Sequence, residues 1–228
     1  MIKENLEKIN ERIRCAAQKV GRDPKTVRLV AVSKRKPPEL VKEAYACGQI
    51  LFAENYFQDA REKIEALDPD IKWHFIGHLQ SNKAAAAAEL FDMIETVDRI
   101  KIAKILDKSL QPTEKTLSIL VQVNIGNEPQ KSGIKAEKAE EFLTQLKSFP
   151  RLKVRGLMVM PPYSSDPESS RPYFKSAREL LNRLIDQGLV DNRDEAELSM
   201  GMSADFEVAI EEGATMVRVG TAIFGARE

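Results

Sequence analysis

Short apolar runs rich in β-branched residues alternate with longer amphipathic stretches along the whole chain. The runs fall at residues 27–33, 50–54, 71–76, 93–97, 117–125, 153–160, 196–200 and 216–221. Each reads as a strand. Several, such as SILVQVNI, are apolar at successive positions, as strands covered on both faces must be. Between them lie stretches with helical spacing, including PELVKEAYACG, FQDAREKIEAL, SNKAAAAAELF, RIKIAKILDKSL, KAEKAEEFLTQLKSF and YFKSARELLNRLIDQG. Gly48, Gly188 and Gly213 close such stretches, as helix C-termini favour. Eight strands alternating with helices predict a single (β/α)8 TIM barrel, with a doubly wound open sheet as the alternative. The chain stops at Glu228, seven residues after the eighth run, which leaves no room for a full last helix. The first segment carries Ile2, Leu6, Ile9, Ile13 and Val20 on one stripe, with Ala16 and Ala17 between the last two. It is expected to cover the barrel as an N-terminal helix in that vacant place. One domain, residues 1–228, follows, without linker or internal repeat.

The barrel expectation turns the strand list into a site list, because chemistry in this architecture gathers at the C-terminal ends of strands. The first run, LVAVS, ends on Lys34, followed by Arg35, Lys36, Pro37 and Pro38. A lysine aimed into the mouth can act as a base, pair with an anion, or attack a carbonyl to form a Schiff base. Attack needs the neutral amine, and at the reference pKa only about one lysine in 2,500 is neutral at pH 7. Burial and neighbouring cations both lower that pKa. Arg35 and Lys36 read as a solvated basic rim that favours the approach of anions. At the far end, SMGMSADFEVAIEEG and RVGTAIFG place Ser203, Gly220 and Thr221 after the last two strands. Those loops commonly hold phosphate in this barrel, with backbone N–H groups at glycine and helix starts as donors. A nucleophilic lysine opposite a phosphate cup suits a phosphorylated aldehyde, of which pyridoxal phosphate is the commonest.

Composition narrows the field without choosing a substrate. Of 228 residues, 43% are hydrophobic and 31% charged, with 35 basic against 35 acidic side chains. The formal net charge is zero, so no broad basic field is available for nucleic acid. No apolar run approaches the roughly 18–20 residues of a membrane span. The opening segment MIKENLEKINERIR lacks the apolar core of a signal peptide. Cys15 and Cys47 have neither metal nor redox spacing and read as reduced thiols, so a cytoplasmic location is expected.

The segments AVSK, FAENYFQDAREK, WHFIGHLQSNK, VNIG, GLMVMPP, LSMGMSADFEVAI and VRVGTAIFGAR occur in this order. Together they closely resemble the YggS/PROSC family of pyridoxal-phosphate homeostasis proteins, from about residue 27 to residue 227. The resemblance implies a barrel of the alanine-racemase type, a fold-type III pyridoxal-phosphate binder. It implies that Lys34 carries the cofactor as a Schiff base and that the Arg218 guanidinium faces the pyridine nitrogen. Ser203, Gly220 and Thr221 match the phosphate-binding stretch, with Ser199 and Gly201 beside it, and Asn55 and Met158 lie in pocket-lining segments. Met160 lies in one as well. A guanidinium only donates, so it favours an unprotonated ring nitrogen and mutes carbanion chemistry. An arginine paired with a nearby carboxylate is the plainer reading of Arg218. Alanine racemase adds a C-terminal β-domain that supplies a tyrosine acid/base across a dimer interface. This chain has no room for one, so two-base racemisation is not expected and a monomer is.

Three hypotheses follow. The first is a non-catalytic protein that holds pyridoxal 5′-phosphate on Lys34 and serves vitamin B6 and amino-acid balance, with apoenzymes that use the cofactor as candidate recipients. The second is a weak racemase or another amino-acid enzyme; the third is an aldolase-like barrel acting on a phosphorylated sugar. Tyr163, in MPPYSSDPESSRP, is the tyrosine near enough to a strand end to reach the mouth, within a Pro- and Ser-rich segment suited to a lid. His74 and His78 flank a strand and its exit and lack the further ligands of a metal site, so hydrogen-bonded structural roles are expected.

Overall fold

A computed structural model describes residues 1–225. Eight parallel strands form the barrel: β1 (Arg28–Val32), β2 (Leu51–Glu54), β3 (Lys72–Phe75), β4 (Met93–Val97), β5 (Leu117–Asn124), β6 (Leu152–Val159), β7 (Glu197–Ser199) and β8 (Met216–Val219). They are ordered β4-β3-β2-β1-β8-β7-β6-β5, and a β4–β5 pairing closes the ring. A closed barrel, and not the open sheet, is therefore the fold. The strands are shorter than the apolar runs by a residue or two at most ends. The last run extends over Gly220 and Thr221, which lie just after β8 and start a short helical turn. A two-residue parallel addition to β5, Ile134–Lys135, has no apolar run to announce it.

Helices α1 (Ile2–Lys19), α2 (Pro38–Ala46), α3 (Phe57–Ala66), α4 (Ser81–Leu90), α5 (Ile100–Leu110), α6 (Ala139–Leu146), α7 (Arg171–Asp186), α8 (Phe206–Glu211) and α9 (Thr221–Phe224) form the outer layer. Pro38 opens α2 at a position where a missing N–H costs nothing, which accounts for the proline pair after the basic rim. The first helix takes the vacant place at the barrel wall, against α2, α8 and α9. Its Ile2, Leu6, Ile9 and Ile13 are buried; each such burial contributes about 1.5–3 kcal/mol. Asn5 Nδ2 donates to the Ile223 carbonyl at 2.9 Å, so α1 also buttresses the turn at the barrel mouth. Val20 departs from the stripe: it lies beyond the last helical turn and is 42% exposed.

Alternation along the strands divides the interior in two. Leu29, Ala31, Phe52, Trp73, Phe75, Ile94, Val121, Leu157, Leu198 and Val217 belong to the large apolar layer between barrel and helices. Val30, Val32, Ala53, Met93, Leu120, Met158 and Met216 form a much smaller cluster inside the barrel. The lumen is not sealed by apolar side chains alone. His74, Glu95, Ser199 and Arg218, on the same parity as that cluster, are buried as well.

Candidate functional site

The parity that buries Val30 and Val32 carries on to Lys34. Ser33 turns outward and Lys34 inward, half-buried, at the C-terminal mouth. In the neighbouring strand Arg218 is level with Val30. Gly220 sits so close to β1 that a Cβ there would lie 3.0 Å from the Val32 carbonyl oxygen. One face of two paired strands thus presents Arg218, then Gly220 against Val32, then Lys34. These residues border a cavity of about 540 Å³, together with Asn55, Met158, Ser203 and Thr221. Lys36, Lys131, Met160, Tyr163 and Met202 also line it.

The floor is polar and fully buried. Arg218 donates from Nη1 to Ser199 Oγ at 2.5 Å and from Nη2 to the Val159 carbonyl at 3.0 Å. Ser199 Oγ in turn donates to Glu95 Oε2 at 2.6 Å, and Glu95 Oε1 meets His74 Nδ1 at 2.7 Å. Glu95 Oε2 also lies 4.0 Å from the guanidinium, so Arg218 borders the cavity and faces a carboxylate at once. Burial works against the charge on Glu95, yet His74, Arg218 and Ser199 hold its carboxyl below the usual range. Burial lowers the affinity of Arg218 for its proton, and Glu95 and Asp205 oppose that. A guanidinium has five N–H groups and no acceptor, so what Arg218 offers the cavity is donation.

At the rim, Asp205 shapes the loop that follows β7. Its Oδ1 accepts the Met202 N–H at 2.7 Å and its Oδ2 the Ser170 hydroxyl at 3.0 Å. That fixes the segment holding Ser203. After the adjacent strand β8, Gly220 precedes the four-residue α9, whose first N–H groups have no acceptor within the turn by construction. The Oδ1 of Asn55 is buried in the wall without a hydrogen-bond partner among the described residues. A buried amide oxygen normally has one. A donor on an entering ligand would supply it. Lysine amine, glycine-and-serine rim, guanidinium floor and orphaned amide together fit a phosphorylated aromatic aldehyde.

Two of the expected site residues lie off the cavity lining. Ser199 and Gly201 do not border the cavity. Ser199 is wholly buried beneath it, spent on Glu95 and Arg218. Gly201 has φ +88 and its missing Cβ makes room for Ala209 and Phe206, so its role is to seat α8. His78 is exposed and lies 3.5 Å from Ser132 Oγ, whereas His74 belongs to the buried network. Arg35 stacks on the Tyr56 ring with its Cζ 5.5 Å from the centroid, so this part of the expected basic rim is not simply solvated.

The comparisons with known proteins agree with this geometry. The profile of the family described as "Alanine racemase, N-terminal domain" matches residues 5–228. The "Pyridoxal phosphate homeostasis protein" of Pseudomonas aeruginosa is 45% identical over 228 residues, covering 100% of this chain and 96% of that one. Its namesake from Aquifex aeolicus is 42% identical over 226 residues, covering 99% and 98%. The chain belongs to the pyridoxal phosphate homeostasis protein (YggS/PROSC) family. Within solved structures, PipY of Synechococcus elongatus "with PLP bound" superposes with a TM-score of 0.85 at 36% identity, covering 99% of this chain and 100% of that one. An alanine racemase from Clostridium difficile shares the fold, with a TM-score of 0.74 at 12% identity; the match covers 99% of this chain and 56% of that one.

The buried supports of the mouth, Glu95 and the Lys63–Glu54 pair, carry no motif of their own in the sequence. Glu95 sits mid-strand in MIETV, and a charge inside a run covered on both faces was the available signal. Lys63 lies on the inner face of α3 with Ala60, next to Ile64 on the Phe57–Ala60–Ile64–Leu67 stripe, and is buried. Its partner Glu54 ends β2 beneath that helix, and nothing local in the sequence links the two.

Proposed function

We propose that this chain binds pyridoxal 5′-phosphate reversibly through Lys34 and helps to maintain the supply of that cofactor, without robust catalysis. The observation that carries the reading is that Lys34, Arg218 and the Gly220–Thr221 turn border one cavity. The names of the full-length relatives, and a related structure described with the cofactor bound, support it. When bound, the group supplies an electrophilic aldehyde and an electron-accepting ring. The protein's own residues do the rest. Lys34 would hold the group through its side-chain amine, which in its neutral form can condense with an aldehyde. The Ser203, Gly220 and Thr221 rim receives the phosphate, and Asn55 accepts a hydrogen bond from the ligand. Arg218 donates toward the ring nitrogen and leaves it unprotonated, which weakens the ring as an electron sink.

A racemase needs a second proton carrier on the opposite side of the ligand. Tyr163 borders the cavity but is 90% exposed, with no base holding it in place among the described residues. The binding role is therefore the reading preferred over the weak racemase. Cytoplasmic location, a monomeric state and delivery to apoenzymes belong to this proposal. No described helix is long and apolar enough to cross a membrane.

Purified protein loaded with pyridoxal phosphate should be yellow, and borohydride should fix the label on the peptide containing Lys34. Lys34→Ala should lose the visible band. A band that survives this change, or a label that maps elsewhere, overturns the reading. Exchange of the amino-acid α-hydrogen in deuterated buffer should stay far below the roughly 1–1,000 per second typical of enzymes.

A further inference from the structure

The residue before Lys34 is held from outside the barrel. Ser33 is fully buried and faces the helical layer. Its N–H donates to the Ala53 carbonyl at 3.1 Å. Its carbonyl accepts the Lys36 N–H at 3.0 Å and the Lys63 ammonium at 2.8 Å. Its hydroxyl donates to Glu54 Oε1 at 2.7 Å, and that same oxygen takes Lys63 at 2.5 Å. Both ends of the Lys63–Glu54 pair are buried.

The turn so gripped is not one the backbone prefers. Lys36 closes back on Ser33, and Arg35, between them, has φ +59. That region suits glycine, and a residue with a Cβ stays there only when its surroundings insist. Lys34 is the residue just before it. A buried ion pair is weak grounds for stability, since an apolar pair of equal volume often serves as well. This one is different in that both of its members also bind Ser33, one at the carbonyl and one at the hydroxyl.

We propose that the buried Lys63–Glu54 pair is a positioning device for Lys34, holding the strained turn so that the amine meets the aldehyde of the bound cofactor. The inference rests on the proposed role of Lys34. It assigns Lys63 and Glu54 no contact with the ligand. They act through Ser33, and what they control is the covalent part of binding.

Two ligands separate that part from the rest: pyridoxal 5′-phosphate, and pyridoxine 5′-phosphate, which carries an alcohol where the aldehyde stands. Dissociation constants for both would be measured on the full chain, the Lys63→Met and Glu54→Gln variants, and Ser33→Ala. Misplacing a reacting group by about 1 Å can cost 10²-fold in reactivity. Both ion-pair variants should therefore bind the aldehyde at least ~10-fold more weakly and change affinity for the alcohol by less than ~2-fold. Borohydride trapping on Lys34 should slow in parallel. Ser33→Ala removes only the hydroxyl contact and should move the same way by a smaller factor. It carries the test alone if the ion-pair variants lose their far-ultraviolet dichroism. Equal losses for both ligands in folded variants, or unchanged affinity for both, would overturn the positioning role. Failure of the unmodified chain itself to trap the aldehyde on Lys34 would instead sink the underlying reading of the site.

Discussion

Arg171 opens α7 within reach of three carboxylates, Glu168 at 2.6 Å, Glu211 at 2.7 Å and Glu212 at 3.0 Å, with about a third of its side chain in solvent. Arg218 lies wholly inside the barrel, where its short contacts are a serine hydroxyl and a backbone carbonyl and the Glu95 carboxylate stands 4.0 Å away. The carboxylates around Arg171 strengthen its hold on its proton, Glu168 most of all, while burial weakens the hold of Arg218. On the surface the chain gathers opposite charge generously, to tie α7 to α8 where water already screens the ions. In the lumen it supplies just enough acceptors to keep a guanidinium tolerable and oriented. A buried cation with a minimal retinue keeps donating capacity for whatever enters the cavity. Counting ion pairs would rank the two sites the wrong way round.

The sharpest break of that contrast is Glu95→Ala. It removes the lumen's carboxylate and leaves Arg218 as a buried cation beside Ser199 and His74. The expected cost is about 3–5 kcal/mol in urea unfolding, because truncating one member of a buried pair strands the other. A loss below 1 kcal/mol would mean that water reaches the barrel floor and that the two arginines do not differ as described.

Acid should expose the same network. The folded carboxyl of Glu95 is held below its usual value by His74, Arg218 and Ser199, although burial pushes the other way. Between that lowered value and the unfolded pKa of about 4.3, the unfolded chain takes up a proton that the folded chain refuses. The stability this group contributes is therefore present above about pH 4.3 and is lost as pH falls toward its folded pKa. Glu207 and Glu211 are lowered too, by Arg12 and by Lys19 with Arg171, and Glu54 is raised by burial, so the raw profile mixes several groups. The difference between the natural chain and Glu95→Gln isolates one of them. Its unfolding free energy should drop less steeply on acidification than that of the natural chain, and parallel curves would contradict the assignment.

Gly201 connects the two regions. Its carbonyl accepts the Arg218 N–H at 3.0 Å, and α8, which it seats, carries Glu211 and Glu212 to Arg171. A Cβ there would stand 2.6 Å from the Ala209 Cβ and 2.9 Å from the Phe206 Cα, on a backbone with φ +88. Gly201→Ala should cost about 1–3 kcal/mol through overpacking, with thermal melting as the check. It should also weaken cofactor binding, because moving α8 moves the loop that holds Ser203.

The sequence made the barrel legible because its strands are apolar enough to announce themselves and its helices keep their period. Lys34 was legible for a related reason: a charge at the end of a buried strand has few uses in this fold. Gly220 and Thr221 followed from position after the last strand, and Arg218 from family resemblance. What stayed hidden are groups whose meaning depends on a partner far along the chain. Glu95 meets Ser199 across 104 residues, and Lys63 meets Ser33 across 30. No local pattern encodes such a meeting, so Lys63 passes for one more charge in REKIEAL. Family resemblance sets Ser199 and Gly201 beside the phosphate-binding stretch, and the sequence does not show which way either faces. A strand's last buried residue and a helix's seat resemble a binding loop until side-chain direction is known.

The smallest effect belongs to the most conspicuous cluster. Arg171→Ala deletes contacts to three carboxylates at once, yet the expected loss is at most about 1 kcal/mol, the range measured for ion pairs in contact with water. Glu211 and Glu212 would not be left bare, since Lys19 reaches the first at 2.6 Å and Arg178 the second at 3.0 Å. The side-chain entropy regained by freeing Arg171 offsets part of what is lost. The loss should shrink further as salt is raised, because screening at about 1 M acts over roughly 3 Å. The cost of Glu95→Ala should be far less sensitive to salt, since mobile ions do not enter the barrel floor. Urea titrations of both variants at low and high salt put the two arginines on one scale. If the penalty at Arg171 were larger, or were the less salt-sensitive of the two, the division between a screened surface network and an unscreened lumen would fail.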